Sequence, residues 1–310
     1  MRVAVIDLGT NTFNLLIVDV CGEGAYQTVF NTKIAVKIGE GAMTRGLLLP
    51  EPMQRAKNAL KEYQTIISNH QCDRTLAFAT SGIRSTSNGA DFVREVKSEL
   101  GLDISVIDGL EEARLIYEGV NLAIPFGQEP MLVMDIGGGS TEFIIANDGG
   151  ILWMKSYRLG ISRVMQMLEP SDPITDQDLE NLDRLFSEQL SDLLDSCRSH
   201  GVRTLIGSSG SFDSFIEMIW AEKGKNDLAS SVILDEFGVD ELRSLHEKLL
   251  FADHKTRKTI PGLVEMRVDT IHLASYMVQW LIDRAGLGRV VLSSYALKEG
   301  VLHRVMENRI

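Results

Sequence analysis

The sequence predicts an α/β protein made of two related halves around a shared cleft, on three observations. A segment near the start recurs 128 residues later, apolar strand-like and helix-like runs alternate along the chain, and no low-complexity linker separates the halves. The repeat aligns Val5–Ile17 without gaps on Val133–Ile145, so that Asp7-Leu8-Gly9-Thr10-Asn11-Thr12 faces Asp135-Ile136-Gly137-Gly138-Gly139-Ser140. Each copy reads as an apolar strand, an Asp-x-Gly turn rich in hydroxyl or glycine residues, and a second apolar strand. One such turn means little. Two at one offset, each opening one half of the chain, point to a duplicated hairpin.

The remaining elements follow in order. Residues 26–37 read as a third strand, followed by a turn with Gly39, Gly41 and Gly46. Residues 51–69 form a helix with Pro52 near its first turn, where proline is tolerated. A strand at 75–79, a helix at 91–100, a strand at 104–107 and a helix at 108–122 complete the first half, which ends near Pro125. The expected units are therefore residues 1–125 and 126–310. In the second unit the hairpin at Asp135 is followed by a strand at 151–157 and helices at 161–168 and 176–200. A strand at 204–206 then opens on Gly207-Ser208-Ser209-Gly210. Helices at 240–250 and 268–285, a strand at 289–292 and a closing helix at 295–307 finish the chain.

Bulk properties narrow the function. With 310 residues, 44% hydrophobic and 24% charged, the chain has globular composition. No run approaches the 18 apolar residues of a membrane span, and the N-terminus lacks a signal-peptide pattern. Three scattered cysteines (Cys21, Cys72, Cys197) form neither a disulfide framework nor a zinc spacing, so a cytoplasmic location is expected. The six histidines are equally dispersed. A net charge of −12 argues against nucleic acid as a partner, since such binding rests on Lys and Arg displacing counterions. A polyanionic ligand would need metal ions, backbone N–H groups or a few placed arginines.

Five stretches carry chemistry. Glycines in the paired turns allow backbone amides to approach phosphate oxygens, and the hydroxyls of Thr10, Thr12, Ser140 and Thr141 can add hydrogen bonds. Asp7 and Asp135, at strand ends, are placed to hold Mg²⁺, which usually takes one or two carboxylates. Ordinary β-turns use the same residue types, so it is the pairing that favours phosphate. Gly207–Gly210 lies between a strand and a helix start, a setting that attracts anions. In Asp108-Gly109-Leu110-Glu111-Glu112, Asp108 can cap a helix with Glu111 reaching back, which leaves Glu112 free. A cleft carboxylate can orient or deprotonate water, although from spacing alone a solvated acidic helix start, favoured by the dipole, is the better reading. Arg84, in Thr80-Ser81-Gly82-Ile83-Arg84, has a fork suited to phosphate, as would any surface arginine.

Together these segments resemble the exopolyphosphatase/guanosine-pentaphosphate phosphohydrolase (Ppx/GppA phosphatase) family. The matching stretches are Val5–Asn11, Ala77–Arg84, Gly109–Ile116, Asp135–Glu142, Gly207–Gly210 and Ala296–Gly300, in the family's order. The resemblance implies two ribonuclease-H-like domains of the actin/sugar kinase/Hsp70 superfamily flanking a cleft, with the last helix packing back on the first. It implies Glu112 as the base that activates water, Asp135 and Glu142 supporting Mg²⁺ with Asp7 facing them, and Arg84 and three loops holding the phosphate chain. Those loops contribute Gly9, Thr10, Asn11 and Thr12, then Gly137, Gly138, Gly139, Ser140 and Thr141, then Ser208, Ser209 and Gly210. The expected reaction is hydrolysis of the terminal phosphate of inorganic polyphosphate or guanosine pentaphosphate, and a homodimer is the expected assembly. Longer family members carry extra C-terminal helical domains, so short substrates are expected here. The third loop, Gly-Ser-Ser-Gly-Ser, departs from the family's Gly-x-x-Gly-Thr and leaves its ligand open. Two alternatives remain: an ATP-dependent small-molecule kinase or ATPase of the same superfamily, and a non-catalytic sensor of guanosine tetraphosphate or pentaphosphate.

Overall fold

A computed structural model describes all residues except 23, 209 and 225–233. In the first half, strands β1 (Arg2–Leu8), β2 (Thr12–Gly22) and β3 (Ala25–Ala35) form an antiparallel meander. Helix α1 (Pro50–Asn69) then leads to β4 (Arg74–Ala79), the short α2 (Ser81–Arg84), α3 (Gly89–Leu100), β5 (Ile104–Val106) and α4 (Gly109–Ala123). Strands β4 and β5 add in parallel, giving the order β3-β2-β1-β4-β5. The second half repeats the plan. Strands β6 (Met131–Ile136), β7 (Thr141–Asn147) and β8 (Gly150–Tyr157) form the meander, followed by α5 (Ile161–Leu168), α6 (Asp176–Gln189) and α7 (Ser191–His200). Next come β9 (Thr204–Ser208), α8 (Gly210–Glu222), β10 (Leu234–Phe237), α9 (Val239–Leu250), α10 (His254–Arg257), α11 (Ile271–Ala285), β11 (Arg289–Ser293) and α12 (Leu297–Met306). Its sheet runs β10-β11-β9-β6-β7-β8. No helix of the described residues is long and apolar enough to cross a membrane.

Strand alternation sends successive side chains into different cores. Ala4, Ile6 and Leu8 face α1 and α3 in one core, while Leu132, Met134 and Phe143 face the helices of the second half in another. The opposite faces, with Val3, Val5, Leu16 and Val18 from the first sheet and Val133, Ile144 and Ile206 from the second, share a third core. Helices α4 and α12 fill the space between these faces through Leu115, Ile116, Val120, Leu297, Val301 and Val305. The last helix thus packs against both α4 and the β1–β2 hairpin.

The two fillers touch through glycine. A Cβ on Gly119 would lie 1.9 Å from the Ala296 carbonyl oxygen, and one on Gly300 would lie 1.9 Å from that of Leu115. The contact is reciprocal, one turn apart on each helix. Hence the spacing between α4 and α12 is set by backbone meeting backbone.

Element boundaries depart from the sequence reading in a few places. The single helix expected over 176–200 is two, because Leu190 leaves helical geometry (φ −109°, ψ 14°). The buried stripe Leu182, Phe186, Leu190, Leu193, Cys197 continues across the break, so periodicity could not reveal it. Helix α11 (Ile271–Ala285) starts three residues later than expected, because Val268–Thr270 are in a turn and Thr270 lies outside helical geometry (φ −124°, ψ −13°). Strand β10 and the short helices α2 and α10 were not visible in the sequence pattern.

In an ordinary helix interior, glycine to alanine stabilises by about 1 kcal/mol. Here the sign should reverse: Gly119→Ala and Gly300→Ala are each expected to cost about 1–3 kcal/mol, because the new methyl meets a carbonyl that cannot step aside. Urea unfolding of the two variants checks this, and unchanged or raised midpoints would show that the helices are free to separate.

Candidate active site

The duplicated hairpins keep the same geometry at their turns. Gly9 N donates to Thr12 O at 3.1 Å, and Gly137 N donates to Ser140 O at 3.0 Å. Asp7 pairs across the strands with Asn14, and Asp135 with Glu142. The two turns meet tip to tip. The Cα of Gly138 lies against the Asn11 side chain, and that of Gly139 against the hydroxyls of Thr10 and Ser81, with no room for a Cβ at either.

Carbonyls of the second turn are all committed to the start of α5. Gly137 O accepts from Ile161 N at 2.9 Å, and Gly138 O from Ser162 N and Arg163 N at 2.9 and 3.0 Å. Gly139 O accepts from Arg163 Nε at 2.9 Å. In a trans peptide the N–H points opposite to the C=O before it, so the amides of Gly138, Gly139 and Ser140 are turned away from α5. In the first turn, Thr10 O and Asn11 O are held by Gly39 N and Lys37 N, which turns the Asn11 amide away in the same manner. Among the described residues, these four amides donate to no protein acceptor. Gly138, Gly139 and Ser140 are buried, and buried amides seek a partner. Successive N–H groups of this kind form an anion-binding concavity.

Four carboxylates surround the turns. Asp7, at the end of β1, accepts from Asn14 Nδ2 at 3.0 Å. Burial raises its pKa to about 6, against the pull of Lys298 and the Asn14 bond. Glu112, in the first turns of α4, is 7% exposed and accepts from Arg84 Nη1 at 2.8 Å. Asp108 caps the helix by accepting from Glu111 N at 2.8 Å. The Glu111 side chain does not reach back; it pairs with Arg304 of α12. Burial pushes Glu112 up to about 7, Arg84 opposes the rise, and the negative charge of Asp7 adds to it. Glu142 accepts from Ser156 Oγ at 2.7 Å and is pushed well above the usual carboxylate range by burial, then by Glu112 and Asp135. Asp135, also buried, accepts from Ser208 Oγ at 3.5 Å.

Most residues singled out in the sequence thus gather at one place. Arg84 also donates to Ile107 O at 2.9 Å, which fixes it at the mouth of α4. Thr12 lines a cavity of about 140 Å³ beside the turns, with Lys37, Gln166, Arg267, Asp269 and Thr270. Thr141 stands apart. Its hydroxyl donates to Leu159 O at 3.0 Å, on the core side of β7, so the side chain expected to bind phosphate is already committed. Ser208 and Gly210 flank the start of α8, while Ser209 lies outside the described residues.

Sequence reasoning missed Arg163, Arg267 and Lys298. Arg267 lies over the α8 N-terminus, where a Cβ on Gly210 would come 2.0 Å from Nη2. Lys298, in the first turn of α12, is near enough to act on Asp7 and Asp213. Arg163 is 5% exposed and sits in the first turn of α5. A cation in the first turn opposes the helix dipole, and that local violation was the available signal for Arg163 and Lys298.

A model of the Ppx/GppA phosphatase family matches residues 17–309. The chain belongs to this family. A crystal structure titled an exopolyphosphatase, from Cytophaga hutchinsonii, is 34% identical with a TM-score of 0.96, covering 99% of this chain and 98% of that one. Exopolyphosphatase 2 of Mycobacterium tuberculosis is 28% identical over 312 residues, covering 97% of each chain. An Aquifex aeolicus family member, 22% identical with a TM-score of 0.80, covers 100% of this chain and 98% of its own and shows the shared fold. The architecture shared with these structures is two α/β units, each built on a mixed sheet that opens with an antiparallel hairpin.

The fate of Glu112 with pH is testable without substrate. Its folded pKa lies above the ordinary value of 4.5, so the fold favours the neutral form. That stability is fully present below about pH 4.5 and is lost as pH rises through about 7. Glu112→Gln, which never ionises, should therefore gain Tm relative to wild type between pH 5 and 8. A Tm difference constant across that range would mean Glu112 does not titrate as the geometry requires.

Proposed function

We propose that this protein hydrolyses the terminal phosphate of inorganic polyphosphate, with guanosine pentaphosphate as the second candidate substrate, by in-line attack of water. The observation that carries this reading is a carboxylate poised near neutrality, Glu112, in the same cleft as the unpaired amides of two facing turns. A phosphoryl group is transferred chiefly through positioning and charge stabilisation, and donors plus a base are what that requires. Support for polyphosphate comes from the relatives named exopolyphosphatases, which match this chain over nearly its full length.

In this reading, the amides of Asn11, Gly138, Gly139 and Ser140 hold the terminal phosphoryl oxygens. Glu112 takes a proton from the attacking water. A base with a pKa near the working pH combines adequate ionisation with adequate basicity. Arg84 keeps Glu112 from being protonated throughout the neutral range and offers its remaining N–H groups to phosphate.

The residues also fit Mg²⁺. Asp135 and Glu142 are direct cross-strand neighbours, and two buried like charges side by side are costly unless a cation or proton lies between them. The equivalent position in the first hairpin is Asn14, which donates a hydrogen bond to Asp7, so the second hairpin alone sets two carboxylates opposite each other. Among the described residues no three His, Cys, Asp or Glu side chains form a ready cage. Mg²⁺ usually keeps several waters and takes substrate phosphates alongside one or two carboxylates. Asp135 and Glu142 would hold the ion, with Asp7 across the cleft. The ion would supply neutralisation of phosphate charge.

Phosphate release from long polyphosphate, short polyphosphate and guanosine pentaphosphate, with Mg²⁺, tests the reading. Glu112→Gln should lose about 10²–10⁴ of kcat with folding intact. Arg84→Gln should move the rising limb of kcat/KM, expected near pH 7, to higher pH, because Arg84 holds the Glu112 pKa down. Release that survives Glu112→Gln would remove its role. No release from any of the three would sink hydrolysis and favour the kinase, if ATP-dependent transfer is then seen, or the sensor, if guanosine tetraphosphate or pentaphosphate binds without turnover.

A further inference from the structure

Arg163 has no role in the chemistry above, yet it is the most completely engaged cation of the cleft. Its guanidinium donates to three groups: Gly139 O at 2.9 Å through Nε, Met43 O at 2.8 Å through Nη1, and Ser85 Oγ at 2.9 Å through Nη2. The first belongs to the turn of the second half. The other two belong to the first half, in the Gly39–Gly46 segment and in the residue after Arg84. Neighbouring α5 side chains reinforce the crossing. Ser162 Oγ donates to Asn11 Oδ1 at 2.8 Å, and Gln166 bridges Met43 N and Gly39 O at 3.2 and 3.1 Å.

The three carbonyls of the Gly137–Gly139 turn are not held alike. Those of Gly137 and Gly138 are held by backbone amides of α5, and any sequence able to form the helix supplies these. That of Gly139 is held by the Arg163 side chain. A peptide with a free carbonyl can rotate, and rotation here would swing the Ser140 N–H out of line with its neighbours. Burying a guanidinium is costly and the start of a helix repels it, so its place needs a return. The return is an amide whose direction is fixed only while the two halves stand in register.

We infer that Arg163 is a positioning residue: it clamps the Gly139–Ser140 peptide so that the Ser140 N–H faces the transferring phosphoryl group, and it does so only when Met43 and Ser85 bring the first half against it. The statement rests on the phosphate-binding reading of the turn. It adds that domain closure and assembly of the amide set are one event. Lysine cannot replace arginine here, since an ammonium on a flexible stem lacks the planar fork that reaches three acceptors in fixed directions.

The experiment compares wild type, Arg163→Lys and Arg163→Ala. With polyphosphate, Arg163→Lys should lose about a hundredfold in kcat, the scale of one misplaced transition-state donor, with KM little changed. The inhibition constant of orthovanadate should rise in step with the loss of kcat/KM. Methylguanidinium should restore part of the activity of Arg163→Ala by refilling the vacated space. The substrate-independent arm uses amide NMR of ¹⁵N-labelled protein titrated with inorganic phosphate. The Ser140 amide should shift in wild type and lose that shift in Arg163→Lys, while the Gly138 and Gly139 amides keep theirs. A Ser140 response equal in both proteins, or wild-type kcat in Arg163→Lys, would overturn the inference. If wild type binds phosphate through these amides but releases none from any substrate, the hydrolysis reading fails while the Ser140 comparison still decides the role of Arg163.

Discussion

The structure turns on an imbalance of buried charge. Asp7, Glu112, Asp135 and Glu142 converge on one cleft, and three of them are pushed toward the neutral form by burial and by one another. Arg84 is the cation directly bonded to this group at 2.8 Å, and it serves Glu112. Folding alone gains nothing from such a cluster, since apolar residues of similar size would pack there at lower cost. The positions are nevertheless dictated by the most rigid parts of the fold: the ends of β1 and β6, the start of β7, and the first turns of α4. A cluster built on rigid elements at the expense of stability is what the proposed binding of a metal ion with a polyanion would require.

Backbone accounting explains how an acidic protein can receive such a ligand. In each turn the carbonyls are drawn off by a neighbouring segment, α5 in one case and Lys37–Gly39 in the other, which leaves the amides outward and unpaired. Peptide dipoles thereby become a local positive surface without any change in net charge. The helix starts add to it. Arg163 in α5, Lys298 in α12 and Arg267 over α8 each place a cation at the positive end of a helix, an arrangement that is unfavourable on its own. A net charge of −12 is therefore compatible with a local positive surface at the turns.

What the sequence made legible follows from what is local. The hairpin duplication could be read because strand, turn and strand are contiguous, and the offset of 128 reappears as matching turn bonds at Gly9 and Gly137. The capping of α4 by Asp108 was legible for the same reason. Glu112 was not, because spacing cannot tell a solvated acidic helix start from one buried beneath a second sheet; only the family resemblance separated them. Thr141 shows the opposite failure, as a hydroxyl of the right type on the wrong face of its strand. For Arg163 the sequence offered only a cation in a first helical turn, because its three acceptors lie 24, 120 and 78 residues away.

These long separations also explain why the closing helix matters. Helix α12 reaches the cleft only after the chain has built both sheets, and its first turn brings Lys298 beside Asp7 while the Tyr295 carbonyl accepts from Ser208. Asp135 Oδ2 lies 3.5 Å from the same hydroxyl, as an alternative acceptor for its one proton. The last element of the chain therefore packs on the first strand of the first half, and the residues leading into it reach Ser208 at the end of β9. Its distance from α4 is set by the Gly119 and Gly300 backbone contacts, and α4 carries Glu112. Any change that separated these two helices would shift Glu112 relative to Lys298. Glycine at those positions is thus a condition of the site's geometry as much as of packing, and the chemistry proposed for Glu112 depends on a helix pair more than 180 residues apart in the chain.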